Sequence, residues 1–371
     1  MKNHAFAITL GVVLLTVLAG VAVITAQQRN PRILGNSANS ASQNSASHNS
    51  DISTPGKATK ITAGEYRLSG PYTHKNLSIF LVHGKNTFEG KTFITLQEAM
   101  VQKKVVVYET KSVNQLSIEN VSNDDIYVQA GDIVKGGQQD RMIGVDLIVP
   151  RKSGKMPIAA FCVEHGRWSS RGNERSTVFS SSADVVSTRE IKLAAKRANS
   201  QDGVWENVRV AQDKLSANIG TKVNSTVSES SLQLAVENER VRASADSYTR
   251  ALANIINSSN DVIGYVFAIN GKVNSADVYG SNALFKKLWP KLLKANAIEA
   301  IAELQKEEFK PASKEHVKTF LTESEKAKAS EKDVSARVGL VTGEDEKQIF
   351  FETRDRAQKD VWIHRNYIKK N

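Results

Sequence analysis

The hydrophobic pattern of this chain changes period twice. From Tyr66 to about Glu164, short runs of Val, Ile, Leu and Phe are broken by Gly, Asn, Asp and Pro, at 77–82, 104–109, 115–119, 126–129, 142–149 and 158–163. Runs of this length, rich in β-branched residues and bounded by turn formers, predict strands. Their spacing predicts a sandwich or a barrel. One helix is expected in this stretch, from Thr95 to Gln102, with Thr95 as its N-cap. From about Ser182 the period becomes helical. Ser187 is placed to cap a helix carrying Ile191, Ala194, Ala195 and Ala198. Val204, Val208, Ala211 and Leu215 fit a second helix. Val241, Ala245, Tyr248, Leu252 and Ile255, stepping by four and three, fit a third. Residues 262–269 and 272–278 predict a hairpin turned at Asn270-Gly271. Leu284, Leu288, Leu292 and Leu293 predict a further helix, in which Pro290 either makes a kink or starts a second helix. Residues 307–332 are charged and weakly periodic and predict an exposed helix or loop, an insertion into the domain. The tail returns to β at 338–341, 348–351 and 361–364, where His364 reads as a structural histidine. No internal repeat is visible.

These elements predict an α+β fold. A β-rich half (66–168), sandwich or barrel-like, packs with a mainly helical half (182–305), and the late strands (334–371) complete one of the sheets. Ahead of this globular domain, 66–371, lie two segments of different character. Residues 5–26 are apolar and uncharged, with Lys2 before them and Arg29 and Arg32 after. That length spans a bilayer, so residues 1–26 read as a transmembrane anchor, or as a signal peptide cut after Ala26. No cysteine follows, which excludes lipoprotein processing. Either route places the domain outside the cytoplasm, held at the cell membrane by one N-terminal helix or released as a secreted or periplasmic protein. Residues 27–65 are rich in Ser, Asn and Ala and predict a disordered linker. As a random coil it would span roughly 35 Å.

Charge and cysteine content narrow the chemistry. With 50 Lys and Arg against 39 Asp and Glu, the chain carries a formal charge of +11 over 371 residues. The excess favours anionic surroundings such as an acidic membrane surface, a cell-wall polymer or a phosphorylated small molecule. No dense basic block with interleaved aromatics is present, so a nucleic-acid partner is not expected. Cys162 is the single cysteine, which rules out an internal disulfide and a cysteine-based zinc site.

Two segments concentrate polar chemistry at strand ends. In Ala130-Gly-Asp-Ile-Val-Lys-Gly-Gly-Gln-Gln-Asp-Arg141, Gly136 and Gly137 permit positive φ and a turn whose N–H groups could hold an anion, flanked by Lys135 and Arg141. Gln139 lies between them. The segment lacks the Gly-Lys-Ser/Thr of a P-loop. In Cys162-Val-Glu-His-Gly-Arg-Trp168, Arg167 could grip a carboxylate or phosphate with two N–H groups, and Trp168 offers a stacking face. Glu164 and His165 are candidate acid–base residues. Cys162 with His165 could form a nucleophile and base. A metal site would need His165, Glu164 and Asp132 or Asp140 together; the residue pattern does not require one. The bland alternative is a charged hairpin tip and a structural corner, with Arg167 paired to Glu164 and Trp168 in the core.

These two segments resemble a bacterial family, the ARG and Rhodanese-Phosphatase-superfamily-associated protein domain. Further matching elements run in order: Asn76-Leu-Ser-Ile-Phe80, Thr95-Leu-Gln-Glu-Ala99, Val107-Tyr-Glu109, Leu116-Ser-Ile-Glu-Asn120, Val262-Ile-Gly-Tyr-Val-Phe-Ala-Ile-Asn-Gly-Lys272 and Leu288-Trp-Pro-Lys-Leu-Leu293. The resemblance covers Tyr66 to the C-terminus. Where the family usually has Gln-Asn-Arg this chain has Gln139-Asp-Arg141, and where it has Glu-Gln-Gly-Arg-Trp this chain has Glu164-His-Gly-Arg-Trp168. The resemblance therefore shifts weight from Asp140 and His165 to Gln139, Arg141, Glu164, Arg167 and Trp168. It implies no activity and no cofactor. The expectation is a pocket between the two segments that binds an anionic or phosphorylated small ligand. The alternatives are an interaction module whose motifs only lock strand ends, and a hydrolase using Glu164 or His165.

Overall fold

Early and late strands interleave in the main sheet. The computed structural model describes residues 57–370 apart from 61, 63 and 89–92. The predicted membrane segment and most of the predicted linker lie outside the described residues. In chain order the strands are β1 (Lys57–Thr59), β2 (Arg67–His74), β3 (Leu77–His83), β4 (Ile94–Thr95), β5 (Val105–Ser112), β6 (Gln115–Asn120), β7 (Ile126–Val128), β8 (Asp132–Gly136), β9 (Arg141–Ile143), β10 (Leu147–Val149), β11 (Gly154–Cys162), β12 (Phe179–Val186), β13 (Val262–Ile269), β14 (Lys272–Tyr279), β15 (Ala329–Asp333), β16 (Val338–Glu344), β17 (Gln348–Asp355) and β18 (Val361–Lys369). The helices are α1 (Leu96–Val101), α2 (Arg189–Lys196), α3 (Gln201–Ile219), α4 (Leu232–Val236), α5 (Glu239–Leu252), α6 (Asn282–Ala302) and α7 (Lys314–Lys326).

Among the described residues the strands form three sheets. Nine pair in the order β1-β15-β16-β17-β18-β14-β13-β3-β2, six in the order β12-β8-β9-β11-β6-β5, and three in the order β10-β7-β4. The fold is mixed α+β with a β-rich first half, and the late strands do complete a sheet begun by early ones.

Burial explains the elements. Every residue of β3 and β13 is buried, because both faces of the nine-stranded sheet are covered. One face joins the main core with α2, α3, α5 and α6. Helix α6 buries residues all around its C-terminal half, as a helix between layers must, and runs through Pro290 as one element. The other face of the sheet packs Phe80, Val266 and Phe350 against Val317, Phe320 and Leu321 of α7. This corrects the expectation of an exposed insertion at 307–332. Its three apolar residues fall at i, i+3 and i+4 on one helical face, and its charges occupy the other. The segment also supplies β15 to the sheet.

Three smaller expectations are corrected as well. The apolar run 142–149 is two strands in different sheets, broken at Gly144; both halves face cores, so the run reads as continuous. The end of the predicted linker is structured: Lys57 pairs with Glu331, and the Thr62 carbonyl accepts a 2.8 Å hydrogen bond from Arg365. Helix α2 is capped at Thr188, one residue after the expected Ser187. Elsewhere the pattern matches the structure. Thr95 caps α1 with a reciprocal bond to Glu98. Asn270 and Gly271 turn the β13–β14 hairpin at φ 51° and 75°, as a two-residue primed turn requires.

A Cβ at Gly271 would also lie 2.1 Å from the Lys310 carbonyl oxygen. Gly271→Ala should therefore destabilise the domain by about 1–3 kcal/mol, read as a lower urea midpoint. An unchanged midpoint would mean that the 309–311 segment moves aside without cost.

Candidate functional site

Strand register brings the two polar segments together. In the six-stranded sheet Arg141 of β9 lies directly opposite Cys162 of β11, and Val134 of β8 lies opposite Arg141. Gly136 and Gly137, at φ 113° and 58°, turn the chain from β8 toward β9. A side chain at Gly137 would strike the Phe179 ring at 2.4 Å, so the turn needs glycine for space as well as for conformation.

The turn's N–H groups are already used. Gly136 donates to the Asp140 carboxylate at 3.0 Å, Gly137 to the Arg175 carbonyl at 3.2 Å and Gln138 to the Glu109 carboxylate at 3.2 Å. The nest that could hold an anion thus holds the protein's own acceptors.

The guanidinium groups are committed in the same way. Arg167 grips Glu164 through Nε at 2.7 Å and Nη2 at 2.6 Å, and its Nη groups donate to the Gly136 and Gly137 carbonyls at 3.3 Å. Arg171 grips Asp140 with two parallel bonds at 2.8 and 2.9 Å and reaches Glu164 at 3.2 Å and Glu174 at 3.1 Å. Arg141, fully buried, donates to the Val113 carbonyl at 2.6 Å, to Cys162 Sγ at 2.8 Å and to Glu109 at 3.3 Å, while its Nε has no partner. The Ser231 hydroxyl donates to Asp140 at 2.9 Å while capping α4, and Ser228 donates to Glu164. Three buried guanidiniums, Arg141, Arg167 and Arg171, therefore face three buried carboxylates, Glu109, Asp140 and Glu164.

Burial and pairing act on these groups in opposite directions. Burial raises the Asp140 carboxyl above its usual range despite Arg171. Burial also opposes ionisation of Glu164, but hydrogen bonds from Arg167, Ser228 and the Asp140 amide outweigh it and hold the carboxyl below its usual range. An anion so fully paired is a poor general base.

The remaining candidates, apart from Cys162, fall outside this network. Lys135 pairs with Glu237 of the α4–α5 connection at 2.7 Å. His165 is exposed, with its ring edge-on to Trp205 at 4.6 Å. Trp168 is 48% exposed, not in the core. Asp132 pairs with Lys291 of α6. Burial pushes the Cys162 thiol up to about 11, which removes it as a nucleophile at neutral pH. Its backbone is instead tied to α3, where the Gln201 amide exchanges two 2.8 Å hydrogen bonds with the Cys162 N–H and carbonyl. Among the described residues no group of three or more His, Cys, Asp or Glu is placed to hold a metal ion.

Gln139 differs from its neighbours. It is fully buried, and neither Oε1 nor Nε2 has a hydrogen-bond partner.

Sequence reading missed Arg171 and Glu109. Arg171-Gly-Asn-Glu174 reads as a surface loop, and Glu109 ends an otherwise apolar β run. The one available signal was the i, i+3 spacing of Arg171 and Glu174, which resembles that of Glu164 and Arg167.

A second polar centre lies between the nine-stranded sheet and β7. His364 of β18 sits between two carboxylates, Nδ1 to Asp146 at 2.6 Å and Nε2 to Asp277 at 3.0 Å. Carboxylates only accept, so both ring nitrogens donate and the ring is an imidazolium. Burial opposes that charge, yet the two carboxylates outweigh it and raise the His364 pKa. Asp146 also accepts from the Ala130 amide at 2.7 Å, Thr353 at 2.7 Å and Tyr127 at 3.2 Å, and Asp277 from Tyr265 at 3.1 Å and Asn366 at 2.9 Å.

Fold and centre together define an α+β domain built around internally compensated buried ion pairs. The chain belongs to the ARG and Rhodanese-Phosphatase-superfamily-associated Protein domain family, whose sequence model matches residues 65–368. Neither the curated proteins nor the solved structures compared with it gave a match.

Proposed function

We propose that this domain is a non-catalytic interaction module, carried outside the cytoplasm by the apolar segment 5–26, in which the two polar motifs act as an internal lock. One observation carries the reading. The groups that would hold an external anion, the Gly136–Gln138 amides and the Arg141 and Arg167 guanidiniums, are already bonded to the chain's own oxygens and sulfur. The lock ties the ends of β8, β9 and β11 to the 164–175 loop and to the start of α4. An external phosphate would have to displace Glu164 from Arg167, trading a buried bidentate pair for another without net gain.

Glu164→Gln removes the charge that Arg167 and Arg171 share. It should lower the melting temperature by several degrees, and nucleotides, sugar phosphates and cell-wall fragments should produce no thermal shift in the wild-type chain. A saturable shift from any of these that disappears in Arg167→Ala would overturn the lock.

A second reading, binding of a small anionic ligand at the motifs, draws support from Gln139. A buried amide with both ends unpartnered asks for one donor and one acceptor, which a small polar molecule could supply. This reading requires Arg167 to turn outward toward the exposed Trp168, and the same thermal-shift panel tests it.

A further inference from the structure

A cavity of about 240 Å³ lies away from the motif network and beside the His364 centre. Its walls come from three places: the β6–β11 side of the six-stranded sheet, the end of α2, and β16 and β17 of the nine-stranded sheet. Val145, Ala159, Leu340 and Phe351 give it an apolar lining, Lys196 is the cation that α2 contributes, and Lys332 and Asp333 of β15 also line it. An apolar cavity of about 150 Å³ is already large enough to stay dry and take up a benzene-sized guest. This one is larger and opens to the surface.

Lys196 makes the cavity more than a packing gap. Its ammonium lies 3.9 Å from the centroid of the Phe351 ring and donates one hydrogen bond, to Asn366 at 3.0 Å. Among the described residues no carboxylate lies within ion-pair distance of it. Asp146 and Asp277, which act on it through space, are themselves held by His364. Burial and the like charge of Lys192 work against the ammonium, and the amine is lowered to about 8. A cation on an apolar wall, with two N–H groups beyond its one bond, is half of a binding site for an amphipathic anion.

The geometry points to this cavity as a site for a small amphipathic carboxylate, its apolar body against Leu340, Val145 and Phe351 and its head group on Lys196. The site is independent of the motif lock and stands whether or not that reading does.

Calorimetric titration of the full chain with hexanoate, and with hexanol as the neutral probe, tests it. Hexanoate should bind at least tenfold more tightly than hexanol. Lys196→Met should abolish that preference, and Ala159→Phe, which fills the cavity, should abolish binding of both. Equal affinity for the two probes, no binding of either, or hexanoate binding that persists in Ala159→Phe would each overturn the assignment. Should Lys196→Met fail to fold, acetylation of wild-type Lys196 read by peptide mass spectrometry decides the matter. Hexanoate should protect the amine; unchanged labelling overturns the site. Thermal shifts with nucleotides and sugar phosphates, the test of the lock, are a separate readout.

Discussion

Replacing His364 with Leu should lower the melting temperature more than any other single substitution considered, by something on the order of 10 °C. Among the described residues the imidazolium is the one charged group that bonds directly to both Asp146 and Asp277, and all three are buried. Removing one partner of a buried ion pair costs about 3–5 kcal/mol, because the charge left behind has lost its hydration and gained nothing. Here two carboxylates are left, and Thr353, Tyr127, Tyr265 and Asn366 supply only neutral donors. The deficit should shrink in acid, where the orphaned carboxyls protonate. A loss of only a degree or two at neutral pH, measured by calorimetry, would mean that His364 is neutral in the folded chain.

The wild-type chain should carry a matching pH signature. His364 is raised above its unfolded value of 6.5, so its contribution is complete below that pH and is lost as pH rises through the folded value. Asp146 and Asp277 are held below their unfolded value of 3.8, so theirs is complete above that pH and is lost as pH falls through the folded values. The triad thus contributes most between about pH 4 and pH 6.5. A pH–stability profile of wild type minus His364→Leu should peak in that window.

Arg171→Met should come second, at about 3–5 kcal/mol. Arg171 bridges two buried carboxylates, Asp140 with two bonds and Glu164 with one, and the Asp140 amide donates to Glu164 at 3.0 Å. Without Arg171, Asp140 keeps only the Gly136 amide and Ser231 hydroxyl beyond the more distant Arg167 at 3.7 Å. Lys at this position restores charge but not the planar fork, so Arg171→Lys should recover part of the loss. Asp140→Asn, which restores the residue usual in the family, should cost less than Arg171→Met, because Glu164 and Glu174 still balance Arg171. Chemical denaturation of the three variants orders them; Asp140→Asn falling below Arg171→Met would contradict the pairing described.

Local elements were legible because one face or one period decided them: Thr95 as a cap, Asn270-Gly271 as a primed turn, and Val241, Ala245, Tyr248 and Leu252 as a buried stripe. What could not be read was long-range. Nothing in a charged stretch announces that Val317, Phe320 and Leu321 meet a sheet, and nothing in 142–149 separates two strands buried in different cores. At the motifs, residue types drew notice to segments in which Glu164 and Arg167 pair beside the Gly136–Gly137 turn. Whether these side chains face outward or one another depended on Glu109 of β5 and on Arg171 of the loop after β11, whose pairing the sequence does not announce. His364 was read as structural from its apolar surroundings. The carboxylates that make it an imidazolium lie 218 and 87 residues away.

The nine-stranded sheet also dictates a timetable. Its central pairings join β3 to β13 and set β18 between β14 and β17, so strands far apart along the chain, such as those carrying Leu77 and Ile269 or Ser275 and Ile368, must meet before either edge is covered. A nascent or partly threaded polypeptide lacks its middle strand until residue 369 arrives, and closing such distant contacts is slow. The main sheet therefore stays unfinished, two separate halves without a centre, until β18 is delivered.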